Sequence, residues 1–282
     1  MPDAQNHSHV QAHAVTDPLK EWAPQGIDIS KPSIARVYDA LLGGKDNFAV
    51  DRAIADHFAQ LLPEVQQAAW YERAVLGRGV RYLFEQGIRQ FIDLGSGLPT
   101  ARNTHQVAQE HAPDTRVVYI DNDPIVLAHS QALLAENPNT TVINADLRSP
   151  QEVLDHPRLR SLLDLDQPVG LMLLGVIHHL NDHENPDGIV QAYKDVLPSG
   201  GYMFLTHFVA DGERTTGLEK MLLAELGTGR FRTIEKITSY FDGLELAEPG
   251  VVSNPLWRPD EPVPTPLTLT ETLIAAGIGR KP

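Results

Sequence analysis

One short run, Phe91-Ile92-Asp93-Leu94-Gly95-Ser96-Gly97, constrains what this chain can fold into more than any other. Arg89 to Leu94 has the branched, apolar character of a buried strand, and Gly95 and Gly97 break it. Thr100 to His111 is polar and compatible with a helix. A strand, a glycine turn and a helix N-terminus make a place where a ligand meets backbone N–H groups. A second strand, Arg116 to Ile120, runs into Asp121-Asn122-Asp123-Pro124. An acid in that position stands where a mononucleotide-binding βαβ unit holds a ribose diol.

The alternation continues along the chain. Helix is expected over 125–136, strand over 140–146, and a fourth strand over 169–177, whose continuous apolar run suits a central parallel strand covered on both faces. Helix over 187–197 and strand over 202–208 follow, then helices over 218–226 and 233–241. Two last strands are expected over 244–252 and 267–278, joined by a proline-rich loop. Such a pattern predicts an α/β fold with a mostly parallel seven-stranded sheet, its last strand antiparallel, and helices on both faces. Ahead of the first strand, three helices are expected over 34–42, 51–62 and 63–84, with Ser33 or Ser30 as a cap and Gly43-Gly44 as a stop. These helices would cover the carboxyl ends of the strands, where open α/β sheets bind ligands. The chain then divides into a disordered tail (1–26), a helical lid (27–87) and a ligand-binding domain (88–282). His7, His9 and His13 fall in the tail and read as solvated side chains.

Charge and composition narrow the function. A formal charge of −14 over 282 residues and the lack of any basic run argue against nucleic acid and anionic membranes as partners. Cysteine is absent, which removes disulfides, thiolate metal sites and cysteine nucleophiles. No apolar run approaches a membrane span of roughly 20 residues, and no apolar signal core opens the sequence, so a cytoplasmic location is expected. A dinucleotide fingerprint needs a third glycine, but Thr100 stands there; the Walker pattern is missing as well. Asp-x-Gly-x-Gly with acids closing the next two strands, Asp121 and Asp146, fits S-adenosylmethionine better than a dinucleotide.

With these motifs the chain resembles a class I S-adenosylmethionine-dependent methyltransferase. More narrowly, it is similar to the actinobacterial S-adenosyl methyltransferase family, formerly a domain of unknown function. The narrower resemblance is carried by Ile27-Asp28-Ile29-Ser30-Lys31-Pro32, Ala35-Arg36-Val37-Tyr38-Asp39, Leu42-Gly43-Gly44-Lys45-Asp46-Asn47-Phe48, the two strand-end motifs, Ala145-Asp146-Leu147-Arg148 and Ala276-Gly277-Ile278-Gly279-Arg280-Lys281. It implies a Rossmann-like fold with an N-terminal helical lid, and S-adenosylmethionine as cofactor. It further implies that Asp93, Gly95, Ser96 and Gly97 line the methionine and ribose side, that Asp121 and Asn122 hold the ribose, and that Asp146 and Leu147 meet the adenine. Tyr38, Gly43, Gly44 and Asn47 would belong to the lid. Trp70-Tyr71-Glu72-Arg73 departs from the family's more usual Asn-Arg-x-Phe run, which leaves Arg73 as the one ligand residue carried over to that helix.

Methyl transfer needs alignment and exclusion of water, and a base only where the acceptor is protonated. His178 and His179 are the candidate bases, with His207 behind them. Asp182, His183, Glu184 and Asp187 read as a solvated loop, and no metal is expected. The acceptor is expected to be a small molecule; neither its identity nor the oligomeric state can be read from these residues. A protein that binds the adenosyl ligand without transferring anything, a regulator, is the competing expectation.

Overall fold

A computed structural model of the chain describes residues 28–100, 102–134 and 137–282, and the expected tail, with its three histidines, lies outside them. Three helices come first: α1 (Ile34–Leu41), α2 (Ala49–Leu61) and α3 (Val65–Glu85). The alternating part follows as β1 (Gln90–Leu94), α4 (Thr104–His111), β2 (Arg116–Asp121), α5 (Pro124–Leu133) and β3 (Thr140–Asn144). It continues through α6 (Pro150–Leu154), α7 (Pro157–Leu162), β4 (Gly170–Leu173), α8 (Pro186–Asp195), β5 (Tyr202–Phe208), α9 (Glu213–Glu225) and α10 (Ile234–Ser239). Two short strands, β6 (Glu245–Leu246) and β7 (Val252–Ser253), precede a helical turn, α11 (Leu269–Thr272), and the final strand β8 (Ile274–Arg280).

The strands form one sheet in the order β3-β2-β1-β4-β5-β8-β6, with β7 also against β8. β1 to β5 pair in parallel, and β8 runs antiparallel to β5 from Tyr202↔Arg280 to Phe208↔Ile274. Every residue of β1, β4 and β5 is buried, as strands covered on both faces should be. Period-two alternation sorts their side chains. Ile92, Leu94, Val118, Ile120, Leu171 and Leu205 pack on one face with residues of α6 to α8 and α10, and Phe91, Val117, Met172 and Phe204 on the other with α3, α4 and Trp257.

A third apolar cluster lies at the carboxyl ends of the strands. It joins Val37, Leu41, Ile54, Phe58, Val65 and Ala68 of the first three helices to Phe208, to Leu218 and Leu222 of α9, and to Leu273 and Ile274. α3 serves both regions: Val65 to Ala69 belong to this cluster, and Val75 to Leu83 pack on the sheet.

Three expected strands differ. The fourth stops at Leu173, because Gly175 turns the chain with a positive φ of 63° and a single helical turn, Ile177–His179, follows. The sixth is broken into β6 and β7 around Pro249 and Gly250, and Gly250 has φ 87°. The seventh begins at Ile274 rather than Leu267, because Thr268 and Glu271 form a capping box and start α11 instead.

Candidate functional site

The carboxyl ends of β1, β2, β4 and β5 open into one cavity of about 570 Å³, roofed by α1 and the first half of α3. Its size lies in the range of small-molecule sites. Asp93, Gly95, Ser96, Gly97, Asp121, Asn122, Leu147, Tyr38, Arg73, His178 and His179 all line it. Eleven of the fifteen residues singled out from the sequence thus line one cavity.

The glycine turn is built differently from the sequence expectation. Gly95 N–H and Ser96 N–H both donate to the carbonyl of Ile120, at 2.8 and 3.2 Å, and Gly97 N–H donates to Asp121 Oδ2 at 2.8 Å. The turn therefore offers no bare N–H nest for a phosphate; its donors are spent bracing β1 against β2. What the glycines supply is shape. Gly95 (φ 68°) presses on Val176, whose Cγ2 would lie 2.3 Å from an added Cβ, while the space beside Gly97 (φ 66°) is open. Ser96 Oγ is buried with no hydrogen-bond partner. A ligand without phosphate, approaching close to the backbone and offering a polar group to Ser96, fits this turn better than a dinucleotide.

Acids stand on either side of the turn. Asp93 is 6% exposed, accepts from Thr104 Oγ1 at 2.6 Å, and is pushed up to about 6 by burial. Asp121 also accepts from Asp123 N–H at 2.9 Å, and burial raises its carboxyl as well. Asp123 caps α5 by accepting from Ile125 N–H at 2.9 Å, and receives a short hydrogen bond from Ser33 Oγ. Ser33 thus ties the start of α1 to the end of β2 rather than closing its own helix.

Four expected residues do not reach the cavity. The Asp146 carboxylate is gripped by the Arg148 side chain, which lowers its pKa, and Arg148 in turn bridges to Glu184. Its neighbours Ala145 and Leu147 line the wall instead. Gly44 and Asn47 wrap the Asp39 carboxylate: Asp46 N–H and Asn47 Nδ2 donate to it at 2.9 and 2.8 Å, and a Cβ on Gly44 would collide with it at 2.0 Å. Gly44 is there for that close approach, and Gly43 turns the chain after α1 with a positive φ of 76°.

The histidines form an aromatic stack. His178, 3% exposed, lies 3.8 Å from Phe208 centroid to centroid, and its Nδ1 accepts from Phe208 N–H at 3.3 Å. The proton of the neutral ring is thereby placed on Nε2. Burial pushes His178 well below the usual histidine range and His179 down to about 4, so both rings are neutral near pH 7. His207 is locked between the Phe208 carbonyl at Nδ1 (2.8 Å) and Arg232 Nη1 at Nε2 (2.9 Å), and it does not line the cavity. The loop acids are also engaged, Asp182 by Arg232 and Asp187 by Lys236. Among the described residues, no three ligand-type side chains meet as a metal site would require.

Sequence reasoning missed Glu72. It is 6% exposed on the cavity wall, where Thr206 Oγ1 and Asn254 Nδ2 donate to its two carboxylate oxygens. The signal was present in the helical period, for Glu72 sits on the stripe that buries Val65, Ala68, Ala69, Val75, Leu76, Val80 and Leu83. A carboxylate on an apolar stripe needs a reason.

Beyond Glu72 and the histidines the inner cavity is apolar, lined by Val37, Leu41, Phe58, Val65, Phe208, Leu222, Leu226 and Ile274 among others.

Comparison with known proteins shows what the chain is similar to. A model of a family described as S-adenosyl methyltransferase matches residues 20–282. A crystal structure of a candidate methyltransferase from Thermobifida fusca is 52% identical with a TM-score of 0.89, covering 92% of this chain and 98% of its own. A DUF574 family protein from Streptomyces avermitilis is 36% identical with a TM-score of 0.86, covering 90% of this chain and 99% of its own. No curated protein matches.

Proposed function

The chain belongs to the S-adenosyl methyltransferase family, an S-adenosylmethionine-dependent enzyme, and from that premise we propose that it methylates a small, largely apolar acceptor held in the inner cavity. One observation carries the acceptor class. The inner chamber is walled by aliphatic and aromatic side chains from α1, α2, α3, α9 and β5, and it meets the open space beside the glycine turn without a partition. Burial of such a wall against an apolar ligand is favourable by about 25 cal/mol per Å².

The cofactor, when bound, supplies an electrophilic methyl group on a sulfonium. The chain's residues divide the remaining work. Asp121 and Asn122 hold the ribose, and Ala145 and Leu147 receive the adenine face. Ser96, Asp93 and Arg73 take the amino-acid end, Asp93 as the partner of the α-ammonium. α1, α2 and the first half of α3 act as the lid that keeps water from the transfer. His178 donates through Nε2–H to an acceptor heteroatom, orienting it rather than removing its proton.

The test starts with binding. Calorimetry against S-adenosylmethionine, S-adenosylhomocysteine and NAD should give binding of the two adenosyl ligands and none of NAD. Radiolabelled S-adenosylmethionine is then incubated with cell extract separated into neutral apolar, polar and macromolecular fractions. Label in the apolar fraction is the expected result, and label in protein or RNA overturns it. Binding with no label anywhere would favour the regulator instead.

A further inference from the structure

We propose that Glu72 makes the cavity discriminate the methyl donor from its demethylated product, by setting a carboxylate against the sulfonium charge that only the donor carries. The proposal rests on the reading of the cavity as a methyl-donor site.

Two parts of the chain far from α3 in sequence converge on this carboxylate. Thr206 of β5 donates its hydroxyl to Oε1, and Asn254 donates Nδ2 to Oε2 at 2.6 Å. Each donor is itself fixed. Thr206 Oγ1 accepts from Gly175 N–H at 2.7 Å, and the Asn254 carbonyl accepts from Arg78 Nη2 at 2.7 Å. Both bonds to Glu72 run toward its oxygens, an arrangement that suits the ionised, acceptor-only form. Burial opposes that form and raises the Glu72 carboxyl. A buried charge held this way is costly to a fold and adds nothing to packing that a leucine would not.

Position narrows the role. In the sheet, β2 and β3 lie on one side of the glycine turn and β4 and β5 on the other. Asp121, Ala145 and Leu147 end the first pair, so the nucleoside lies there and the rest of the donor extends toward β4. Glu72 waits at that end. A Cβ on Gly175 would sit 3.7 Å from Glu72 Oε1 and 4.0 Å from His178 Cε1, so the absent side chain leaves the carboxylate open to the cavity. The charged and titratable groups around it are Tyr38 from α1, Arg73 on its own helix and His178 after β4, the last held neutral.

Charge completes the argument. Five acids line the cavity against three bases, and one of the bases, Arg36, is spent on Asp51 at 2.9 Å. The donor brings a sulfonium in addition to its ammonium and carboxylate; the product has a neutral thioether with the same two end groups. A carboxylate near the sulfur therefore separates donor from product, and the ammonium cancels from their ratio. Ground-state attraction of this kind does not speed transfer. It biases occupancy of the site toward fresh donor over spent product.

The experiment compares dissociation constants for S-adenosylmethionine, S-adenosylhomocysteine and methylthioadenosine, which lacks the amino-acid end, in the native protein, Glu72→Gln and Glu72→Asp. Asn254 Oδ1 is buried without a partner, so the amide can rotate to accept from a glutamine, and Glu72→Gln keeps its anchor. The native protein should prefer donor to product by about tenfold, the scale of a partly screened ion pair. Glu72→Gln should bring that ratio to about one through the donor alone, with product and methylthioadenosine unchanged; Glu72→Asp should keep part of it. A native ratio near one, equal weakening of donor and product in Glu72→Gln, or no change at all would overturn the assignment. Failure of every adenosyl ligand to bind the native protein would fell the methyl-donor reading instead.

Discussion

The two ends of the cavity are made in different ways. The proposed nucleoside end is local: Asp93 to Gly97 and Asp121 to Asp123 are two short runs at neighbouring strand ends, braced by hydrogen bonds such as Gly97 N–H to Asp121 Oδ2 at 2.8 Å. The inner end is assembled from α1, α2, α3, α9, the β5 terminus and α11, segments up to about 240 residues apart, and is held mainly by apolar contact. A local site is fixed by dihedrals and hydrogen bonds, and a single change breaks it outright. An assembled one is fixed by packing, and it yields by degrees.

The largest effect should therefore come from Asp121→Ala. This change removes the proposed ribose partner and, with it, the acceptor of Gly97 N–H and Asp123 N–H. Affinity for S-adenosylhomocysteine should fall by about a hundredfold, two charge-assisted bonds at about 1.5 kcal/mol each. A loss of less than about fivefold in calorimetry would mean that the local end tolerates damage as the assembled end does.

Asp93 sharpens the contrast through pH. Its pKa of about 6, against the usual 3.8, means that the folded protein holds more protons than the unfolded chain between those values. Its ionisation thus costs the empty protein stability as pH rises through that window. A cationic α-ammonium needs the opposite form. Affinity for S-adenosylhomocysteine should accordingly fall as pH drops below about 6, at up to about tenfold per unit. Asp93→Asn should flatten the slope. A profile between pH 5 and 8 that is identical in the two proteins would place the ammonium elsewhere.

How far the sequence could be read follows the same division. Asp93, Gly95, Gly97 and Asp121 were legible because strand, turn and acid are consecutive, and period and turn chemistry act over a few residues. Even there the use of the N–H groups was hidden, since their acceptor, the Ile120 carbonyl, belongs to the next strand. The double glycine was legible as special but its surroundings were not: Asp39, five residues before Gly44, is what Gly44 packs against, while Gly43 only turns the chain. Glu72 showed in the sequence only as a charge on an apolar helical stripe, and its use stayed hidden because its two anchors, Thr206 and Asn254, lie 134 and 182 residues away. Likewise the fourth strand, though apolar through Ile177, ends where Gly175 turns, and hydropathy carries no record of φ.

The assembled end can be loosened without touching the local one. Asp51, fully buried, accepts from Ser33 N–H at 3.0 Å, from Phe48 N–H at 2.9 Å and from Arg36 Nε at 2.9 Å, holding α1 against α2. Asp51→Ala leaves the Arg36 guanidinium buried without that carboxylate, a local cost of about 3–5 kcal/mol. Hydrogen exchange should quicken over 33–61 while the sheet stays protected, and affinity for S-adenosylhomocysteine should weaken by only about threefold. Equal loss of protection in β1 and β2 would show that the two ends are one cooperative unit.

The smallest effect on the cofactor is expected at His178, and here the comparison decides a chemical role. His178 belongs to the inner end by its stack on Phe208, which stacks in turn on Phe231 at 4.8 Å. His178→Ala should lower stability by about 1–2 kcal/mol and leave S-adenosylhomocysteine affinity within about twofold. The native ring answers whether it is a base. Burial, reinforced by His179, His207 and Arg232, holds it neutral, and Phe208 N–H occupies Nδ1. ¹⁵N shifts should show a single Nε2–H tautomer with no titration between pH 5 and 8. An Nδ1–H tautomer, or a midpoint in that interval, would free Nε2 to accept a proton and make His178 the base. Without either, Glu72 becomes the first candidate to take a proton from an acceptor, because its Oε1 is the one carboxylate atom among the described residues within 4 Å of the space a Cβ on Gly175 would fill.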